Sequence, residues 1–378
     1  MVGIPRRYWR NFDIILLLST LILIALGMVA IYSASANRLM NNGLSPFYYV
    51  KRQAIFTLLG LVGLALVISI DYRAWLRWSR QIYFINIILL IAVLVIGKTT
   101  FGSQRWFKLG AFNLQPSEIA KIALILILAH YMEKRENIQG WKLLNPFFII
   151  GLPVLLIMLQ PDMGTAMVFI GIVFSMTFVA GADGKHLTLI AMAGGATLGL
   201  IIFGSLQGWL KIVKPYQINR LLVFLDPYRD PTGSGWNVIQ SMIAVGSGGL
   251  FGKGFLNGSQ SQLNFLPANH TDFIFSVVAE EFGFVGSVIT LLLFLVIIWR
   301  GIRIASNAKD RYGMLLAVGC VALFSCHLVI NVGMTLGIMP VTGLPLPFLT
   351  YGGSTLLTNL IAIGILLNVG LRRKKIMF

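Results

Sequence analysis

Charge is what this sequence lacks most. Only 11% of its 378 residues are Asp, Glu, Lys or Arg, against about 25% in an ordinary soluble domain. The shortfall is lopsided, with 13 acidic residues facing 30 basic ones. Cysteine is nearly absent. Cys320 and Cys326 share one apolar run, and six positions on a helix turn them about 120° apart at roughly 100° per residue. That spacing argues against a local disulfide or paired metal ligands and leaves packing roles. Repeats, low-complexity tracts and long linkers are missing too, so residues 1–378 read as a single polytopic membrane domain.

What fills the chain is apolar: 57% hydrophobic residues and a mean hydropathy of +0.82. A helix crossing the hydrocarbon needs about 20 apolar residues. Ten cores qualify, three of them only with their flanks: Ile14–Ile31, Ala54–Ile70, Ile82–Ile96, Ile119–Met132, Pro146–Leu159, Met163–Ala182, Leu187–Gly204, Phe273–Trp299, Gly313–Met339 and Phe348–Leu371. The expected class is an all-α integral membrane protein of about ten transmembrane helices. "YSASA" (Tyr32–Ala36) looks like a signal-peptide cleavage site. The run before it exceeds the roughly 7–15 residues of such a peptide, so a retained first helix is expected.

Positive charge orients the spans. With the N-terminus inside, 18 of the 30 Lys and Arg fall on short inner segments, from Arg6, Arg7 and Arg10 to the run Arg372–Lys375. Both termini are then cytoplasmic. The net charge of +17 thus belongs to inter-span loops; no basic stripe of a nucleic-acid-binding domain is present. The same orientation makes the loop of about residues 205–272, between helices 7 and 8, extracytoplasmic. Loops this long are functional or disordered. This one is rich in Trp, Tyr, Phe and Ile, so it is expected to pack on the membrane face and to hold function.

The acidic residues sort by side. Asp13, Asp71, Glu133, Glu136, Asp183 and Asp310 fall among inner basic residues and read as solvated loop charge. Asp226 and Asp230 in "FLDPYRDP" read as turn formers. Asp162 in "LQPDMGT" suits either an N-cap or a cavity wall. Glu118 and Lys121 in "LQPSEIAKIAL" share a helix face, which a local ion pair explains; a cation inside a span equally suits an anionic ligand. In "NFLPANHTDFIFSVVAEEFG", Asp272 starts the eighth span, where capping is its plainest role. Glu280 and Glu281 lie about 12 Å deeper at 1.5 Å per residue. Unpaired they would cost several kcal/mol, so they are expected to hydrogen-bond to neighbouring helices and brace the site, leaving Asp272 to react.

Basic groups gather on the same outer side: Arg105 and Lys108, then Lys211, Lys214 and Arg220. Arg and Lys together suit a pyrophosphate, Arg bidentately; pairing with lipid phosphates is the default for Lys211 and Lys214. The glycine-rich "GSGGLFGKG" (Gly246–Gly254) fails the phosphate-loop pattern, with Ser247 and Gly254 at the wrong places. It reads as turns or flexible backbone. No His/Cys/Asp cluster has zinc spacing, His270 beside Asp272 is a weak hint of a triad, and His130, His186 and His327 read as structural or interfacial.

The run "QSMIAVGSGGLFGKGFLNGSQSQLNFLPANHTDFIFSVVAEEFG" resembles the signature region of the SEDS family (shape, elongation, division and sporulation). "QRW", "QPSEIAK", "QPDMGT" and "PVTGLPLPFLTYGGS" are similar to it as well, so the resemblance spans essentially the whole chain. Within the family, "GSQSQLNFLP" and the short tails resemble the elongation member RodA more than the division member FtsW. The resemblance implies an inverting peptidoglycan glycosyltransferase of the bacterial cytoplasmic (inner) membrane, with an outward-facing site. It would polymerise lipid II, release undecaprenyl pyrophosphate and work beside a class B penicillin-binding protein. By motif match the essential aspartate falls on Asp272, and further important positions on Arg105, Glu118, Lys121, Asp162 and Arg220. One carboxylate base suffices for such a displacement, and cations can replace a general acid at the leaving group. No cofactor is assigned beyond an optional divalent cation, Mg or Mn, at the pyrophosphate. A lipid II flippase is the alternative, and a scaffold for the transpeptidase a third reading that leaves Asp272, Arg105 and Lys121 without work.

Overall fold

The computed structural model describes residues 10–100, 103–110, 112–135, 140–209, 215–233 and 235–373. Arg6, Arg7, Glu136, Lys211, Lys214, Lys374 and Lys375 lie outside the described residues. Thirteen α-helices are described: α1 Ile14–Asn41, α2 Tyr48–Ser69, α3 Tyr72–Ile96, α4 Pro116–Glu133, α5 Asn145–Leu159, α6 Met163–Val179, α7 Gly184–Leu206, α8 Pro215–Leu225, α9 Trp236–Ser247, α10 Ser259–Gln262, α11 Ile274–Ser306, α12 Arg311–Thr335 and α13 Gly353–Leu371. Eight helices are long and apolar enough to cross a membrane, α5 among them once counted from Lys142. α6 is shorter, and α4 carries Glu118, Lys121 and Glu133. These ten coincide with the ten apolar cores of the sequence.

Burial ranks the helices. The apolar window of α13 is 89% buried and that of α12 67%, whereas α7 is 11% buried. The first two therefore form the centre and α7 the rim. α13 packs on α2, α12 on α6, α4 and α11, and α1 on α11. "YSASA" lies inside α1, where Ser33, Ala34, Ser35 and Ala36 are buried.

Four of the acidic residues read as solvated loop charge also cap helices; Asp71 and Asp183 stay exposed, as expected, whereas Asp13 does not. Asp13, Asp71, Asp183 and Asp310 accept from the backbone N–H of Leu16, Arg73, Lys185 and Gly313, capping α1, α3, α7 and α12. Asp13 is also buried against Arg300, with Nη2 at 2.6 Å from Oδ2. A short aspartate oxygen fits the unsatisfied N–H groups of a first turn, which a hydropathy reading does not register.

Two features depart from a plain helix bundle. Between α3 and α4 a three-stranded antiparallel sheet forms from β1 Lys98–Thr100, β2 Ser103–Leu109 and β3 Phe112–Leu114. α11 is also not one rod. It breaks at Gly283, whose φ of 66° and ψ of −161° are not helical. The glycine-rich stretch meets that break. Lys253 N donates to Glu280 O and Gly254 N to Glu281 O, both at 3.0 Å, and Phe284 N donates to Gly249 O at 2.9 Å. A Cβ at Gly252 would stand 2.1 Å from Glu281 O, and one at Gly283 2.2 Å from Gly252 N. These glycines permit backbone to lie against backbone. They are closely packed rather than flexible, and they satisfy carbonyls that the break frees.

Candidate functional site

The site gathers where the start of α11, the sheet and the α5–α6 turn meet. Asp272 precedes α11 and does not cap it: the N-cap is Phe273, with no side-chain hydrogen bond. Its main-chain carbonyl accepts from Asn331 Nδ2 at 2.9 Å, and the same amide donates to Leu344 O at 2.7 Å. α12 thus fixes Asp272 and the "PVTGLPLPF" loop together. A Cβ on Gly343 of that loop would come within 3.1 Å of Asp272 Oδ2.

Asp272 is half-buried, so an edge stays open, yet protein crowds its carboxyl. That burial pushes its pKa up from 3.8 to about 7. Arg220 and then Arg105 pull it down, and Asp162 pushes it up. Three of the substrate-site residues read from the sequence therefore share one electrostatic neighbourhood with the candidate base.

β2 delivers Arg105. Its Nε donates to Gln160 O at 2.7 Å, its Nη2 donates to Pro161 O, and Nη1 lies 3.8 Å from Asp162 Oδ2. Asp162 takes the capping role open to it in the sequence and adds an ion pair. Oδ1 caps α6 by accepting from Thr165 N at 3.1 Å, while Oδ2 faces Arg105 and Gln115 Nε2. A fixed guanidinium costs less to order when it meets an anion.

Glu118 and Lys121 behave differently. Lys121 is fully buried and its ammonium donates to Glu118 Oε1 at 2.7 Å, with His327 Nε2 at 2.9 Å. His327 Nδ1 in turn meets Pro345 O at 2.9 Å. The pair is an internal brace between α4, α12 and the "PVTGLPLPF" loop, not an open anion site.

Glu280 and Glu281 also brace, though not only against helices. Glu280 binds Lys253 Nζ at 2.8 Å, Gln260 N at 2.9 Å and Ser261 N at 3.2 Å, so it caps the short α10 and anchors the segment between α9 and α11. Glu281 accepts from Ser33 of α1 and from Gln262 Nε2 at 3.3 Å.

Comparison with known proteins bears on what this arrangement is. The family model described as a cell cycle protein, covering FtsW, RodA and SpoVE, matches residues 14–375. The chain belongs to the SEDS family. Stage V sporulation protein E of Bacillus subtilis (strain 168) is 41% identical over 364 residues, spanning 94% of this chain and 96% of that protein. A probable peptidoglycan glycosyltransferase FtsW of Trichlorobacter lovleyi is 40% identical over 378 residues, spanning 98% and 96%. A chain from a peptidoglycan synthase complex that coordinates polymerisation and crosslinking superposes with a TM-score of 0.81 at 35% identity, covering 96% of this chain and 98% of that one. The SEDS chain is accordingly a multi-pass membrane protein. Sporulation and division relatives lie this near, so the short RodA-like motifs do not assign a process.

Several residues of this SEDS site escaped the sequence reading. Lys253 sat inside the rejected phosphate-loop pattern, Ser33 inside the signal-peptide look-alike "YSASA", and Asn331 looked like an ordinary span residue. For Asn331 the signal was a lone polar group in the apolar run "LVINVGM". The described hydrogen bond of His270 goes to Asn269, not to Asp272. The imidazole stacks on Tyr49 at 4.9 Å, and burial, then Arg38, lowers its pKa to about 4.

Proposed function

We propose that this chain, a peptidoglycan glycosyltransferase of the SEDS family, polymerises lipid II with Asp272 as general base and serves cell elongation. The observation that carries the reading is the raised carboxyl of Asp272 beside Arg105 and Arg220. A base with a pKa near the working pH transfers protons most efficiently. The acceptor sugar hydroxyl gives its proton to Asp272 as it attacks the anomeric carbon. The bond to the lipid pyrophosphate breaks with inversion, and Arg105 and Arg220 stabilise the charge that develops there. In this reading Glu118 and Lys121 support the site from within, and Glu280 and Glu281 hold the loop over it.

The termini lie in the cytoplasm, and Asp272 faces outward, as the distribution of Lys and Arg supports. Among the described residues no three His, Cys, Asp or Glu side chains come together as a metal cluster. Mg²⁺ needs only one or two carboxylates plus substrate phosphates. Mg²⁺ or Mn²⁺ at this site would offset pyrophosphate charge while held chiefly by the substrate's own phosphate oxygens. A class B penicillin-binding protein is the partner, as the likeness to a chain of a synthase complex supports. The test is glycan-strand formation from labelled lipid II by purified protein, with and without that transpeptidase. Polymer supports the reading. Lipid II movement across liposomes without polymer would replace it with the flippase reading.

A further inference from the structure

The opposite end of the bundle, which carries the lysine- and arginine-rich segments, holds a pocket of another kind. A cavity of about 70 Å³ opens where the approach to α1, the last turns of α11 and the end of α13 meet. Arg10, Arg300, Arg303 and Arg373 line it, with Phe12 and Ile304 as its apolar wall. Asp13 is its one carboxylate. Arg300 already holds Asp13, Nε lying 2.8 Å from Oδ2, and Oδ1 caps α1. Among the described residues, Arg10, Arg303 and Arg373 have no carboxylate within 4.0 Å. Arg373 instead donates to Asn11 Oδ1 at 3.3 Å, and Arg303 lies 5.9 Å from the Trp299 ring.

Like charges around one small cavity repel. An anion with several acceptor oxygens removes that cost, and guanidinium forks fit phosphate oxygens bidentately. The space admits one phosphate group and no nucleotide. A second observation says what the phosphate is attached to. Leu292, Leu295, Trp299 and Ile302 of α11 are each more than half exposed, and their spacing puts them on one helix face. The Trp299 ring of that stripe lies 5.6 Å from Arg300 and 5.9 Å from Arg303 of the pocket wall. We propose that the pocket binds the phosphate of an anionic phospholipid headgroup, whose acyl chains lie along this stripe. Basic pockets between transmembrane helices are suited to such headgroups. Bound there, the lipid ties the ends of α1, α11 and α13 together. The proposal stands apart from the polymerase reading, because binding is measured without turnover.

The experiment is native mass spectrometry of the full chain in detergent, titrated with short-chain phosphatidylglycerol, phosphatidylcholine of equal chain length, or inorganic phosphate. Wild type should retain phosphatidylglycerol in preference to phosphatidylcholine. Arg303→Gln combined with Arg373→Gln should weaken that binding at least about tenfold, since two of the guanidinium forks that fit the phosphate are removed. Arg10→Gln is an independent variant expected to weaken it in the same direction, and Arg77→Gln on exposed α3 should leave it unchanged. Equal retention of phosphatidylcholine, or equal loss in Arg77→Gln, overturns the proposal. So does full displacement by inorganic phosphate, which would assign the pocket to free phosphate rather than lipid.

Discussion

Lys253 Nζ lies 2.8 Å from Glu280 Oε1, joining the α9–α10 loop to the short first part of a broken helix. Glu280 has no exposed surface, and it also accepts the first amides of α10. Removing one partner of such a pair strands the other charge. Glu280→Ala should lower stability by about 3–5 kcal/mol, read as earlier thermal unfolding in detergent. Glu280→Gln, which still accepts from Gln260 N, should lose less. Equal unfolding of Glu280→Ala and wild type would remove the anchor role.

The glycines of "GSGGLFGKG" should not be equivalent. Gly252 has a φ of +81° and no room for a Cβ against Glu281 O, whereas Gly246 has nothing within 4 Å. Gly252→Ala should cost at least about 1–3 kcal/mol from backbone strain alone. Gly246→Ala, inside α9, should stabilise by roughly 0.5–1 kcal/mol. Thermal unfolding of the two variants side by side checks the order, and the reverse order would contradict the packing account.

Lys121 offers a test of brace against ligand site. Lys121→Met alone leaves the Glu118 carboxylate buried and unpaired, at a cost of about 3–5 kcal/mol. Adding Glu118→Gln should restore most of that stability. Polymerisation should recover along with it if the pair is a brace. A double variant that is stable yet inactive, with KM for lipid II raised, would return Lys121 to the substrate.

The pH dependence follows from Asp272. As a base it must be ionised, so kcat/KM should fall about tenfold per pH unit below a pKa of about 7. Its folded pKa lies above the unfolded one, so the folded state binds the extra proton. The stability this group contributes is present at low pH and fades as pH rises from about 4 to about 7. Asp272→Asn should therefore match wild type near pH 4 and be the more stable at pH 8. Unfolding temperatures at the two pH values decide it.

The sequence made the ten spans legible because each apolar run is long and most inter-span segments are marked by charge. It also brought Asp272, Arg105, Asp162 and Arg220 onto one side. It did not reveal β1–β3: the two three-residue strands are too short for alternation to stand out, and the seven residues of β2, "SQRWFKL", do not alternate. Nor did it reveal the break at Gly283, since hydropathy continues through it from Phe273 to Trp299. Pairings such as Lys121–His327, 206 positions apart, depend on which helices pack together. A charge alone cannot show whether it is sealed or open: Lys121 is sealed, whereas Asp272 keeps an open edge.

The account rests on Asp272 as the base, and polymerisation of labelled lipid II by Asp272→Asn tests it most directly. The variant keeps the shape and the Asn331 contact to the main chain but cannot take the proton. The expected result is a folded protein that binds lipid II with a Kd near that of wild type and forms glycan strands at least about a hundredfold more slowly. Strands formed at the wild-type rate would contradict the account and move the reaction's base elsewhere.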